Sequence, residues 1–216
     1  MIEVFGRRNS ANVQKVMWVL GELGLDYKRH DVGGSFGYSD DYPNPNQVVP
    51  TITDGDLTVW ESGACVRYLA REYGQGSLWP DDRNTLAIAD QWMEWHRSDF
   101  TNAYFPTFMN LVRVGRSASE LVDGIAKCAA AYQQLDAQLA GQDFIAGNTL
   151  TMGDIPTGAV TYRYFEMAID RPSLPNVEAW YGRLCDRPAY QYHVMIPFGT
   201  NPEEWAAEEQ KNAVIQ

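Results

Sequence analysis

The chain opens on an apolar run, Ile2 to Phe5, that suits a short buried strand. From Ser10 the period changes: Val13, Val16, Met17, Leu20 and Leu23 recur at helical spacing, and Gly24 supplies a stop. A second strand is expected over Tyr27 to Val32. It is followed by a Gly, Ser, Asp and Pro-rich loop from Gly33 to Asn46, long enough to suggest function. Pro50 then introduces a hairpin, Thr51 to Thr53 and Leu57 to Trp60, turning at Asp54-Gly55-Asp56. Ser62 is placed to cap a helix with the apolar stripe Val66, Leu69, Ala70 and Tyr73, ending at Gly74. The first part of the chain therefore reads βαβ and then ββα.

Beyond Trp79-Pro80 and from Thr85 onward the strand signals stop. Leu86, Ala89, Trp92 and Met93, then Leu111 and Val112, follow helical patterns. Ser117-Ala118-Ser119-Glu120 has capping-box spacing and is expected to open a helix through Leu121, Ile125, Cys128, Tyr132, Leu135 and Leu139. Thr151-Met152-Gly153-Asp154 repeats the device, with Leu150 and Ile155 as its staple and Gly147-Asn148 as the turn before it. In that box Asp154 bonds back to the Thr151 amide, a structural role. A further helix is predicted around Val177 to Leu184, before Arg187-Pro188. The tail from Asn201 to Gln216 is acidic and Ala-rich. This order predicts an α/β domain over residues 1–78, a linker over 79–84 and an all-α domain over 85–216.

Composition narrows the function classes. Of 216 residues, 45% are hydrophobic and 21% charged, enough apolar material for a sizeable core. The 28 Asp and Glu outweigh 17 Lys and Arg, for a net charge of -11. Such a chain repels phosphate backbones and anionic lipid, so nucleic-acid and membrane partners are not expected. No apolar stretch approaches the length of a membrane span. Met1 to Phe5 precede Arg7 and Arg8, the reverse of a signal peptide, and a cytoplasmic protein is expected. Cys65, Cys128 and Cys185 are far apart with no CxxC, which fits a reducing compartment. His30, His96 and His193 show no triad or ligand spacing, so they read as surface or core residues and no metal is implied.

Three motifs fall in a telling order: Val49-Pro50 before the hairpin, with Asn44-Pro45 upstream; Trp60-Glu61-Ser62 after it; and the Thr151 to Asp154 box in the helical half. Together with the element order, they make the chain resemble the soluble glutathione transferases over nearly its whole length. The likeness is to bacterial-type, serine-dependent theta/delta-like members rather than cysteine-type ones, since no Cys precedes Cys65. It implies a thioredoxin-like domain joined to an all-α helical bundle. It also implies that the enzyme takes glutathione as co-substrate, with no metal, and activates its thiol against a small apolar electrophile. Glutathione-dependent peroxidase, isomerase or dehalogenase chemistry would use the same site. A homodimer and a part in detoxification are further expectations. A non-catalytic protein of the same fold that binds glutathione or an apolar ligand, or acts as a scaffold, is the alternative.

The resemblance gives the residues roles. Ser10, read from its position alone, is a helix N-cap; by resemblance its hydroxyl donates to the glutathione sulfur. Asn12 is the rival donor, with Arg8 and Asn9 further candidates. Pro50, in a cis peptide, would turn the Val49 N–H and C=O toward the ligand. Glu61 and Ser62 would hold the γ-glutamyl end and Gln47 the glycine carboxylate. No Lys or His lies in Asn46 to Val49, and Gly63 stands where some relatives carry Arg, which predicts modest affinity. Tyr104, Phe108 and Arg113, with Phe105 and Met109, are expected to line the electrophile pocket. Trp92 and Trp95 are expected in the core, as are Cys65 and Cys128.

Overall fold

The computed structural model describes residues 1–213. Its first part holds β1 (Ile2–Phe5), α1 (Ala11–Glu22), β2 (Tyr27–His30), β3 (Thr51–Asp54), β4 (Leu57–Trp60) and α2 (Ser62–Tyr73). The sheet runs in the order β2-β1-β3-β4, with β1 and β2 parallel and the other pairs antiparallel. Val4 pairs with Ile52 across β1 and β3, and both side chains are fully buried. The β3–β4 register sets Thr51 against Trp60, so the loop ending at Pro50 lies beside the turn at Glu61.

The second part is helical. α3 (Arg83–Trp95) continues through a π-helical segment, His96–Phe100, into α4 (Thr101–Phe108) and a second π-helical segment, Met109–Arg113. Then come α5 (Val122–Gln138), α6 (Asp154–Glu166), α7 (Pro175–Cys185), α8 (Pro188–His193) and α9 (Pro202–Lys211). This is a thioredoxin-like domain joined to a helical domain.

α1 is buried continuously from Val13 to Leu20, because α2, α6 and α8 all pack against it. The approach of α1 to α6 requires glycine at 158, where an added Cβ would meet the Trp18 ring at 2.8 Å. Gly153 is equally confined, with the Ala89 backbone 2.8 Å from such a Cβ. Glu22 binds Arg187 through two hydrogen bonds of 2.8 and 2.6 Å, and also accepts from Trp18 Nε1. These contacts tie α1 to the far end of the helical domain.

Several local expectations need correction. Ser62 is not the cap of α2: Glu61 holds that place at φ 66°, and Ser62 is the first helical residue. Tyr73 is exposed rather than part of the apolar stripe, its hydroxyl donating to Asp54, and Cys65 packs in the core on that face. The Ser117–Glu120 box closes a 3-10 turn over Ala118–Glu120, and the helix begins only at Val122. β2 stops at His30, short of the expected Val32, and beyond it the Arg7 amide of the loop after β1 donates to the Val32 carbonyl. The acidic tail folds as α9, on which Trp205 and Glu209 are buried; residues 214–216 lie outside the described residues.

The Thr151 box forms as read. Asp154 accepts from Thr151 N at 2.9 Å and from Thr151 Oγ1 at 3.1 Å, with Leu150 and Ile155 buried around it. It also accepts from Ile145 N and Trp180 Nε1. One carboxylate thus joins the start of α6 to the preceding loop and to α7.

Candidate functional site

A cavity of about 460 Å³ opens between the two domains. Ser10, Asn12 and Val49 line it from the sheet side, and Tyr104, Phe108 and Arg113 from the helical side. Phe105 and Met109 are also on its wall. Gln47, Pro50, Glu61 and Ser62 are not on that wall, although Ser62 is bound to it through Asn12.

Ser10 stands at the N-cap position of α1, yet its side chain makes no capping hydrogen bond. Its backbone is engaged, N–H to the Arg7 carbonyl and C=O to the Gln14 amide, which fixes where the hydroxyl sits. Ser10 is nearly buried and lines the cavity, and its hydroxyl has no hydrogen-bond partner among the described residues. First-turn amides of a helix carry partial positive charge, and here the cap residue leaves them unscreened.

Asn12, the second residue of α1, has its Oδ1 occupied twice, by Lys15 Nζ at 2.9 Å and Ser62 Oγ at 3.3 Å. An ammonium only donates, so the amide oxygen faces Lys15 and the NH2 group is what Asn12 has left to offer. Lys15 Nζ also lies 3.0 Å from His96 Nε2, whose Nδ1 is 3.1 Å from Thr157 Oγ1. Since Lys15 donates to Nε2, the ring hydrogen sits on Nδ1 and His96 is neutral. Burial and the nearby Arg163 charge bring the Lys15 ammonium down to about 7. Burial and Lys15 hold His96 well below its ordinary value. His96 is therefore a buried residue at the cavity floor, while His30 stacks on Phe5 at the sheet edge and His193 is buried away from the cavity.

Arg163, on α6, is buried, and its Nη2 donates to the Asn9 carbonyl at 2.7 Å and to Gln14 Oε1 at 2.9 Å. Its guanidinium lies over the rings of Phe108, Phe198 and Trp205 at 5.1 to 5.7 Å. Arg113 covers the other face of the site, 4.9 Å from the Trp205 ring centroid. Arg7 pairs with Glu209 at 2.7 Å, joining the first domain to α9. Burial pushes the Glu209 carboxyl up, but hydrogen bonds from Ser35 and the Arg7 charge bring it below the usual carboxylate range. Arg8 and Asn9 are absent from the cavity wall: Arg8 donates to the Tyr192 carbonyl, and Asn9 is buried beneath Arg163.

The Val49–Pro50 peptide is cis. The loop before it is shaped by Asn44, which is buried, donates to the Val48 carbonyl at 3.0 Å and accepts from the Asn46 amide. Tyr42 donates to the same carbonyl at 2.8 Å. Val49 itself makes no backbone hydrogen bond within the described residues, so its N–H and C=O remain available. Gln47 (φ 49°) and Glu61 (φ 66°) are the two described non-glycine residues with left-handed backbone, a strained state that collects at ligand sites. Next to Glu61, Gly63 is approached by Arg67, which is held by Asp90 and Glu94.

Sequence reading missed Lys15, Arg163 and Trp205. A signal existed for the first two: each has apolar residues one helical turn away, Ala11 and Val19 for Lys15, Ala159 and Met167 for Arg163, which marks a buried face. Trp205 is the lone aromatic in an acidic tail. Among the described residues no group of three or more His, Cys, Asp or Glu is placed to hold a metal ion, and no helix is long and apolar enough to cross a membrane.

Comparison with known proteins places this geometry in context. The profile of the glutathione S-transferase N-terminal domain matches residues 1–71, and that of the C-terminal domain matches residues 94–188. Glutathione S-transferase GstB of Escherichia coli (strain K12) is 38% identical over 206 residues, covering 91% of this chain and 99% of that protein. The crystal structure of the theta class glutathione S-transferase from Xanthomonas axonopodis pv. citri with glutathione bound is 42% identical, with a TM-score of 0.86 over 91% of this chain and 98% of that one. Glutathione S-transferase I from maize, in complex with an atrazine glutathione conjugate, is 26% identical with a TM-score of 0.79, covering 90% of this chain and 97% of that one.

Proposed function

The chain belongs to the glutathione S-transferase family, and on that premise we propose that it is a serine-dependent, theta/delta-like enzyme in which Ser10 activates glutathione. The reaction is transfer of the glutathionyl group to a small, largely apolar electrophile. The observation that carries the Ser10 assignment is the idle hydroxyl at the start of α1, nearly buried in the cavity wall and unused as a cap.

A free thiol has a pKa near about 8.5, so a thiolate at neutral pH needs a shift of about 2 units, or about 2.7 kcal/mol. A hydrogen bond from Ser10 to the charged sulfur supplies roughly 1.5–3 kcal/mol, and the helix end adds about 0.3–1. The NH2 group of Asn12 and the Lys15 charge behind it act in the same direction. The thiolate lone pair then forms the C–S bond while the leaving group departs with the electrons of the bond it breaks. The enzyme's further contribution is to hold the two reactants together. Burial pushes the Cys65 thiol up to about 12, which argues against cysteine-type chemistry from this chain.

Glutathione is proposed to lie along the edge of the sheet, its γ-glutamyl end at Glu61 and Ser62, its main chain against the free N–H and C=O of Val49 beside cis Pro50, and its glycine carboxylate toward Gln47. The strained backbone of Gln47 and Glu61 supports this placement. Tyr104, Phe108 and Arg113 face the electrophile. The same site would serve glutathione-dependent peroxidase, isomerase or dehalogenase chemistry. A homodimer, a cytoplasmic location, a detoxification role and a domain junction at residues 79–84 complete the proposal. Calorimetric titration of glutathione, followed by assay of 1-chloro-2,4-dinitrobenzene conjugation, tests it. Saturable binding with turnover is expected, and no binding at millimolar glutathione would overturn it.

A further inference from the structure

The chain as a whole is acidic, yet its cavity is not. Arg7, Lys15, Arg113 and Arg163 line it, and no Asp or Glu does. Arg7 is neutralised by Glu209. The other three have no carboxylate partner among the described residues: Lys15 meets an amide oxygen and an imidazole, Arg163 a carbonyl, an amide oxygen and three rings, and Arg113 a thioether and Trp205. Neutral acceptors and aromatic faces solvate a buried cation without cancelling its charge, and buried charges in proteins are as a rule paired. Burial lowers the proton affinity of Lys15, Arg163 and Arg113, and neighbouring cations add to it, Arg163 on Lys15, Arg7 and Arg113 on Arg163, and Arg7 on Arg113; Glu61 and Glu209, neither within ion-pair distance, offset part of this on Lys15 and Arg113.

The two arginines without a counterion come from the helical domain, at the end of the cavity walled by Phe108 and Trp205. The residues assigned to the two charged ends of glutathione, Gln47 at the glycine carboxylate and Glu61 and Ser62 at the γ-glutamyl end, lie off that wall. We propose that the missing counterion belongs to the second substrate: the electrophile is a flat, apolar molecule bearing a carboxylate, its ring against Phe108 and Trp205 and its carboxylate toward Arg113 and Arg163. This rests on the function proposed above and names the substrate class of the same site. The planar guanidinium fork fits a carboxylate in a way a lone ammonium does not.

The probes are 4-chloro-3,5-dinitrobenzoate and its neutral amide, 4-chloro-3,5-dinitrobenzamide. In both, the glutathione thiolate attacks the chlorine-bearing carbon, the C–S bond forms, and chloride leaves with the C–Cl electron pair. With kcat/KM divided by the uncatalysed rate constant of each compound, the wild type is expected to favour the carboxylate about tenfold, one charge-assisted hydrogen bond's worth. Arg113→Met is expected to reduce that preference several-fold, and Arg116→Met, an exposed residue off the cavity wall, to leave it in place. Equal or inverted preference in the wild type, or a preference untouched by Arg113→Met, would overturn the proposal.

Binding of unreactive 3,5-dinitrobenzoate and 3,5-dinitrobenzamide, read by tryptophan quenching in the wild type, separates this inference from the catalytic reading and needs no variant. Tighter binding of the benzoate that persists with S-methylglutathione in the other half of the site supports it even if neither chloro compound is turned over. Loss of the preference when S-methylglutathione is added would assign the cations to glutathione's own carboxylates and refute it.

Discussion

Two helix starts in this chain have similar sequence signals and opposite fates. At the start of α6 every polar group is used: one carboxylate, fully buried, accepts from Thr151, Ile145 and Trp180. At the start of α1 the Ser10 hydroxyl, on the wall of the cavity, has no partner among the described residues. The first arrangement holds the fold together, and burial, which pushes the Asp154 carboxyl up, is opposed by those donors. The second gives up a cap worth about 1 kcal/mol and keeps a donor free for a ligand. Of these two helix starts, the satisfied one serves the fold and the unsatisfied one faces the cavity.

Substitution at the two ends should separate stability from activity. Asp154→Ala strands four buried donors and is expected to cost about 3–5 kcal/mol in equilibrium urea unfolding. A loss under about 1 kcal/mol would mean that the box is dispensable. Ser10→Ala should lower kcat/KM about 100-fold, the equivalent of about 2.7 kcal/mol, with unfolding stability unchanged within about 0.5 kcal/mol. A stability loss comparable to that of Asp154→Ala would erase the contrast.

Lys15 sharpens it by pH. Its ammonium titrates at about 7 in the folded protein against an ordinary 10.5, so between those values the unfolded chain binds more protons and stability rises with pH. The contribution is present above 10.5 and is lost as pH falls through 7. Lys15→Met lacks this dependence. Its stability relative to wild type should be greater at pH 6 than at pH 9 by roughly 1–3 kcal/mol, measured by unfolding at both values; equal differences would contradict the burial of that charge. The smallest effect is expected at Glu61→Gly. Relief of the left-handed backbone should raise stability by at most about 1 kcal/mol while weakening glutathione binding by calorimetry.

Much of the architecture was legible because it rests on short-range patterns. The four strands and α1, α2, α6 and α7 follow from hydrophobic period, Gly24 and Gly74, and the Thr151 box. The two π-helical segments did not show, since each adds a residue within an unbroken helical pattern, and both border the cavity through His96 and Arg113. α8 is six residues long, too short to display a period. At the candidate site, Ser10, Asn12, Val49 and the aromatic wall were named from the family resemblance, and the structure brings them to one cavity. Lys15 and Arg163 were not, because a basic residue on a helix is ordinarily solvated, and only the packing of α1 against α6 buries both. Glu61 was assigned to the γ-glutamyl end by resemblance, but its strained φ did not show, since that comes from the tight join between β4 and α2, which has no sequence mark of its own.

The central claim is that Ser10 and the bare end of α1 hold the bound sulfur as thiolate. Ultraviolet thiolate absorbance of glutathione bound to wild type and to Ser10→Ala, followed against pH, reads this directly. The account predicts thiolate at neutral pH in the wild type, and in Ser10→Ala a midpoint moved up toward that of the free thiol with glutathione still bound. A thiolate that persists at neutral pH in Ser10→Ala would contradict it and move the role to the Asn12 amide or to the first-turn N–H groups of α1.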